Sequence, residues 1–271
     1  MCAVLGIARQ SYYAWRNRKA SRRDKENEEL LREIKEIHQE SRSTYGSPRI
    51  HRKLQDRGYV VGRNRVARLM RENDIEAVQK RRSRRTTDSN HAFPTAPNLL
   101  NRNFVAMKPN EVWLSDITYI QTCEGWLYLA AVLDVYSRKI VGWSMDSTMS
   151  RKLCMDALEM AILARRPSPG LIHHSDRGSQ YASGDYQELL EEHGMMCSMS
   201  RKGDCWDNAP MESFFGTLKT ESLHRYVFET HDQARQEVFE FIEIFYNRKR
   251  SHSALDFMSP AGFELEWADV A

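Results

Sequence analysis

The sequence has few of the features that mark secreted or membrane proteins. Its 271 residues include only five cysteines, scattered and without a C-x-x-C pair, so neither a disulfide framework nor a structural zinc site is predicted. The longest uninterrupted apolar run, 126–133, is far shorter than the ~20 residues that span a bilayer. The first residues lack a basic leader and a small-residue cleavage site. These absences predict a cytoplasmic protein with free thiols.

Charge is unevenly distributed along a chain whose net charge is only +3. Residues 1–90 hold 23 Lys and Arg against 12 Asp and Glu, a balance of +11. Residues 91–271 hold 17 against 25, a balance of −8. A basic segment followed by an acidic one predicts a polyanion-binding module joined to a region that concentrates carboxylates. A solvated basic helical face is the alternative explanation.

Apolar residues at helical spacing predict three short helices in the basic third. The first occupies 24–40, the second begins at Ser47 and ends near Gly58, and the third spans 63–72. The face of the third helix opposite its apolar stripe carries four arginines: Arg63, Arg65, Arg68 and Arg71. We therefore predict a small all-helical, helix-turn-helix-like DNA-binding domain over 21–79, preceded by a partial helix-turn-helix remnant over 1–20.

A basic and polar linker is predicted over 80–103. Its basic cluster contains four arginines: Arg81, Arg82, Arg84 and Arg85. These side chains are candidates for contacts with DNA phosphates, because each neutralised phosphate releases counterions. The alternative is a soluble tether that makes no contact with DNA.

The pattern changes to alternating strands and helices over 104–265. Three hairpin-linked strands are predicted at 112–121, 126–135 and 139–144. A helix, a strand, a helix, a strand and two further helices follow them. This order predicts an α/β domain in which helices cover the faces of a mixed sheet.

Three carboxylates stand where chemistry is expected. Asp116 interrupts the apolar strand 112–121, Asp176 ends a short strand, and Glu212 lies in the first turn of a helix. An unpartnered buried carboxylate is costly, and ligand sites of α/β sheets lie at the carboxyl ends of strands. Three converging carboxylates could hold two divalent cations ~4 Å apart, which promote phosphoryl transfer. Hard oxygen ligands suit Mg²⁺ or Mn²⁺.

The segments around these acids resemble the DDE motif of bacterial insertion-sequence transposases and retroviral integrases. The DDE resemblance rests on segments 113–119 and 173–181 and on Glu212, and segments 203–215 and 246–255 resemble the OrfB type of the insertion-sequence-three family. The resemblance implies a ribonuclease-H-like catalytic core that cuts and joins DNA at the terminal inverted repeats of an insertion sequence. It also implies that Asp116, Asp176 and Glu212 bind two Mg²⁺ or Mn²⁺ ions.

The same resemblance suggests further site residues. Lys219 follows Glu212 by seven residues, which places both on one helical face, and it would contact DNA at the element end. An ordinary surface lysine is the alternative, and Arg250 is a second candidate for DNA contact. Four residues could line the site or the DNA channel: His174, Trp206, Asn208 and His252. Packing in the core, or attachment of the last helix to the sheet for His252, would explain some of them equally well.

Partners and alternative functions complete the predictions. The resemblance implies DNA as substrate, a homo-oligomer on DNA, a nucleoid-associated bacterial location, and an upstream-frame protein joined by programmed frameshifting. A ribonuclease-H-type nuclease is one alternative, with Asp156 or Glu159 as an additional acid. A non-catalytic DNA-binding regulator of transposition is the other.

Overall fold

The computed structural model describes residues 6–17, 19, 21–78, 96–201 and 205–268, except for the side chains at 205, 206, 267 and 268. The chain forms two compact units, Met1–Val78 and Gln79–Ala271. Four arginines of the predicted linker lie outside the described residues: Arg81, Arg82, Arg84 and Arg85. Across the described ranges, we find no helix with the length and apolar character needed to span a membrane.

The described part of the first unit contains four helices. Its helices are α1 (Arg9–Arg16), α2 (Arg22–Glu40), α3 (Ser47–Asp56) and α4 (Arg63–Glu72). A reciprocal cap begins α2: the Ser21 hydroxyl accepts from the Asp24 amide, and the Asp24 carboxylate accepts from the Ser21 amide. Such a cap satisfies two backbone donors that a helix start leaves unpaired. The three predicted helices are confirmed, and the first begins two residues earlier than predicted because of this cap.

One apolar core joins α2, α3 and α4. It consists of Leu30, Ile34, Ile37, Tyr45, Ile50, Leu54, Val66, Leu69 and Met70. At its edge, the Arg57 guanidinium lies 2.9 Å from a carboxylate oxygen of Glu33, 3.2 Å from one of Glu36 and 2.7 Å from one of Glu40. Since Arg57 follows α3 and all three acids lie on α2, this cluster fixes the end of α3 against α2.

The second unit is built on a five-stranded mixed sheet. Its strands are β1 (Val112–Thr122), β2 (Gly125–Asp134), β3 (Ile140–Asp146), β4 (Ile172–Ser175) and β5 (Met196–Met199). Their order in the sheet is β3-β2-β1-β4-β5. β2 pairs antiparallel with both β1 and β3, and β4 pairs parallel with both β1 and β5. The predicted mixed sheet is confirmed.

Helices cover both faces of this sheet. On one face α5 (Arg151–Arg165) and α6 (Gly184–Glu192) enclose a core that contains Trp113 of β1. On the other face α7 (Ala209–Glu221) and α8 (His231–Phe239) enclose a core that contains Leu114. Neighbouring residues of a strand point to opposite faces, so β1 contributes to both cores.

The chain after α8 departs from regular α-helical geometry. A π-helical segment (Glu240–Tyr246) follows α8 and ends with a bond from the Asn247 amide to the Ile242 carbonyl. Asn247 then exchanges side-chain hydrogen bonds of 3.0 and 2.9 Å with the backbone of Ile140 at the start of β3. A final helix that the sequence did not predict, α9 (Pro260–Ala268), follows.

Candidate active site

The parallel pairing of β1 with β4 brings two of the three predicted acids together. Leu114 of β1 pairs with His174 of β4. β1 continues two residues past this pair to Asp116, and Asp176 follows the last residue of β4. The negative charge of Asp176 acts on Asp116 and raises its pKa, so the two carboxylates lie close together.

Both aspartates are oriented by backbone amides. Asp116 is half-buried, and its Oδ1 accepts from the Ile117 amide at 2.8 Å. The Oδ1 of Asp176 accepts from the Gly178 amide, also at 2.8 Å. A Cβ atom at Gly178 would lie 3.0 Å from that same oxygen, so glycine allows the turn to close tightly on the carboxylate.

Glu212 approaches from the helical layer rather than from the sheet. It is exposed in the first turn of α7, where Phe214 and Leu218 anchor the helix in the core. The sequence folds in this way because Pro210 suits the first turn of a helix and the apolar residues recur at helical spacing.

Electrostatics indicate that the three acids share one site. Burial raises the pKa of Asp116 well above its usual range, and the negative charges of Asp176 and Glu212 raise it further. Among the described residues, no group of three or more acidic, histidine or cysteine side chains is arranged closely enough to hold a metal ion. Three mutually repelling oxygen donors nevertheless suit a divalent cation, since its charge would stabilise their ionised forms.

Lys219 lies next to these carboxylates. Its ammonium group is half-buried, 4.6 Å from the centre of the Tyr119 ring, and its charge lowers the pKa of Asp116. Burial lowers the pKa of Lys219, while Tyr119 and Asp116 raise it. The structure therefore places the predicted basic residue at the acidic site, whereas its contact with DNA stays a prediction.

Asn208 links the two elements that carry Asp116 and Glu212. Its side-chain amide, in the turn before α7, donates to the Ser115 carbonyl at 3.2 Å. Ser115 immediately precedes Asp116, and its hydroxyl lies 2.7 Å from Nε2 of His173. The Asn208 contact joins the start of α7 to β1 next to Asp116, whereas a role of Asn208 in the site stays a prediction.

The other accessory candidates lie elsewhere. His174 is fully buried between the hydroxyls of Ser198 and Ser200, at 2.8 and 3.1 Å, and burial lowers its pKa to about 4. It is a neutral core residue, as the alternative interpretation held. His252 lies 3.2 Å from the Tyr246 hydroxyl, and the Trp206 side chain is outside the described residues.

The predicted DNA contact of Arg250 requires correction. The residue is only 4% exposed, and its guanidinium makes two 2.7 Å hydrogen bonds to the carboxylate of Glu221. A buried, doubly bonded guanidinium cannot meet a phosphate without breaking this pair. Arg250 therefore attaches the chain after the π-helical segment to the end of α7.

Two of the four arginines on α4 bind other side chains of the first unit. Arg65 is half-buried and donates to Asn27 at 2.9 Å, and Arg68 pairs with Glu72 at 3.0 Å. Arg63 and Arg71 are exposed. Of the four arginines on α4, these two present the most accessible charge, and DNA contact by all four stays a prediction.

Sequence reasoning missed the importance of Asp207. This buried carboxylate accepts from the Arg201 backbone and side chain at 2.7 to 3.0 Å, from Arg102 at 3.1 Å and from Asn98 at 2.9 Å. These bonds, led by those from the Arg201 side chain, hold its pKa below the usual range. Asp207 thereby ties the turn before α7 to the end of β5.

Comparison with known proteins agrees with this architecture. Residues 25–83 match an HTH-like domain family, and residues 106–205 and 193–260 match integrase core domain families. The chain is 50% identical over its full length to the whole of an IS600 insertion-element protein of 31 kDa from Shigella sonnei. It is also 46% identical, over 92% of its length and 98% of the relative, to the transposase of IS904 from Lactococcus lactis.

A solved structure supports the fold. A chain of the simian T-cell lymphotropic virus intasome, solved by cryo-electron microscopy with the PP2A regulatory subunit B56 gamma, matches 85% of this chain. The match covers 74% of the viral chain at a TM-score of 0.50 and 14% identity.

The chain belongs to the family of insertion-sequence transposases with an integrase core. The predicted family, fold and enzyme class are confirmed, and the nuclease and regulator alternatives are not favoured.

Proposed function

We propose that this protein cuts and joins DNA at the ends of an insertion sequence, with Asp116, Asp176 and Glu212 as its metal ligands. The observation that carries the proposal is the electrostatic coupling of these three acids within an integrase core, where two of them raise the pKa of the third. A carboxylate cluster of this kind is stabilised by divalent cations.

The chain's own residues supply binding and orientation. The amides of Ile117 and Gly178 fix the two aspartates, and α7 presents Glu212 and Lys219 on one face. Two Mg²⁺ or Mn²⁺ ions, when bound, would supply activation of the attacking oxygen and charge stabilisation at the leaving oxygen. Lys219 would hold a phosphate of the DNA end beside the carboxylates.

We infer DNA as the partner of both units and the nucleoid as their place of action. The exposed Arg63 and Arg71 on α4 support phosphate contacts by the first unit, to which the linker arginines would add. Joining two element ends requires at least two active sites close together, so the working form is a homo-oligomer on DNA. Fusion to an upstream-frame protein by frameshifting would add end recognition.

A strand-transfer assay tests the proposal. The full chain is incubated with an element-end duplex carrying a free 3′-hydroxyl, a target plasmid, and Mg²⁺ or Mn²⁺. Joined products should form with the wild type and disappear with Glu212→Gln. Glu159→Gln, an exposed acid on α5, is the matched control and should remain active.

Different outcomes distinguish the alternatives. Metal-dependent nicking without joining would favour the nuclease, particularly if Glu159→Gln abolished it. DNA binding without nicking or joining, in the presence of the upstream-frame protein, would contradict the catalytic proposal and favour a regulator.

A further inference from the structure

Two large aromatic side chains are exposed on the sheet near Lys219. Tyr119 of β1 is 42% exposed and Trp126 of β2 is 47% exposed. Their ring centres are 5.1 Å apart and their planes meet at 84°. Nine aromatic side chains are buried in the two cores of this unit, whereas these two lie side by side on the surface, which suggests a role in binding.

A positive charge connects the pair to the carboxylates. The Lys219 ammonium lies 4.6 Å from the centre of the Tyr119 ring and acts electrostatically on Asp116. Lysine, tyrosine and tryptophan are therefore joined by successive contacts, and the charge of the lysine also acts on Asp116. A basic group next to exposed aromatic rings is the combination with which proteins bind single-stranded nucleic acid.

The angle between the rings indicates what kind of group fits. Two rings at nearly a right angle form a corner rather than a flat platform. The end of a DNA duplex presents a whole base pair and needs a flat surface. A single base has about the size of one indole and can stack on one ring while its edge meets the other.

We propose that Tyr119 and Trp126 bind one unpaired nucleobase of the DNA strand whose phosphate contacts Lys219. This inference rests on the proposed function, because it assumes that DNA reaches the carboxylates. It assigns the aromatic pair a positioning role: the strand entering the site is held by stacking, which is tolerant of sequence.

Binding measurements with modified DNA test this inference without altering the protein. Fluorescence anisotropy compares three kinds of labelled DNA. The first is a blunt duplex, and the second is the same duplex with a short unpaired tail on its 3′ or its 5′ strand. The third is each tailed duplex with abasic nucleotides in its tail. The wild type should bind one of the tailed duplexes about tenfold more tightly than its abasic counterpart, which is within the range for one stacked base.

Variants then locate the effect. Tyr119→Leu and Trp126→Leu should remove the preference for the base, while Tyr119→Phe and Trp126→Phe should keep most of it. Phe239→Leu is the matched control, because Phe239 is 48% exposed and belongs to a second aromatic pair, with Trp143, whose ring centres are 6.3 Å apart. That variant should bind like the wild type.

Failure of the inference differs from failure of the proposed function. Equal affinity of the wild type for normal and abasic tails, with blunt duplex still bound and joined, would overturn the stacking proposal alone. Tighter binding to the blunt duplex, lost in the leucine variants, would replace the unpaired base by a duplex end and also overturn it. Absence of binding to every DNA would overturn both proposals.

Discussion

The buried pair of Arg250 and Glu221 makes a sharp prediction, because the sequence alone suggested a different role for Arg250. The guanidinium and the carboxylate share two 2.7 Å hydrogen bonds, and their side chains are only 5% and 9% accessible. Removing one partner of such a pair leaves an uncompensated buried charge and costs about 3–5 kcal/mol. We expect Arg250→Met to lower the free energy of unfolding by that amount.

Arg250→Met should also lower the melting temperature. For a folding unit of this size, each kcal/mol lowers Tm by about 2–4 °C, so a drop of roughly 6–20 °C is expected. Thermal and urea unfolding of the full chain, followed by circular dichroism, would measure it. Arg248→Met is the control, since Arg248 is exposed nearby and should change stability by no more than about 0.5 kcal/mol.

A double variant separates pairing from simple loss of packing. Glu221→Met together with Arg250→Met replaces both charges by apolar groups, which is often nearly neutral. We therefore expect the double variant to be more stable than either single variant. If Arg250→Met instead kept its stability and bound DNA weakly, the structural assignment would be wrong and the sequence-based prediction of DNA contact would be right.

Two further predictions concern the sheet. Burial, with a smaller contribution from His174, lowers the pKa of His173 to about 3, so below pH 6.5 only the unfolded chain gains a proton there. Stability should fall by up to about 1.4 kcal/mol per pH unit between pH 6.5 and 5, as measured by urea unfolding, and a flat profile would contradict this. Gly142→Ala should cost about 1–3 kcal/mol, because its Cβ would overlap the Ala157 carbonyl oxygen and lie 2.7 Å from the Ala161 Cβ. Gly184→Ala, which meets nothing within 4 Å, should not show this loss in the same unfolding assay.

The sequence-based prediction of the acidic site rests on local pattern. Asp116 stands within an apolar strand and Asp176 follows another, and these two strands, β1 and β4, pair in parallel. Glu212 and Lys219 share a helical face by spacing alone. Periodicity of the strands and helices determined the α/β class for the same reason.

The errors arose where a charged residue finds its partner far along the chain. Arg250 pairs with Glu221, and Asp207 binds Arg102 and Asn98, across separations that no local pattern reports. Burial decides the role of such a residue, and burial depends on tertiary packing. The π-helical turn after α8 was missed likewise, because Asn247 reaches β3 only in the folded chain.

Hydrogen bonds hold the acidic residues and the start of α7 in place. Asp116 and Asp176 are held by adjacent backbone amides, and Asn208 and Asp207 fix the start of α7. Burial of Asp116 and repulsion from Asp176 and Glu212 oppose this arrangement, and together they raise the pKa of Asp116. Buried bonds around the site therefore offset the cost of keeping the carboxylates together before a cation binds. Replacing Asp207 by asparagine, which weakens its bonds to Arg201 and Arg102, should consequently lower metal affinity as well as stability. Asp207 is not itself one of the proposed ligands.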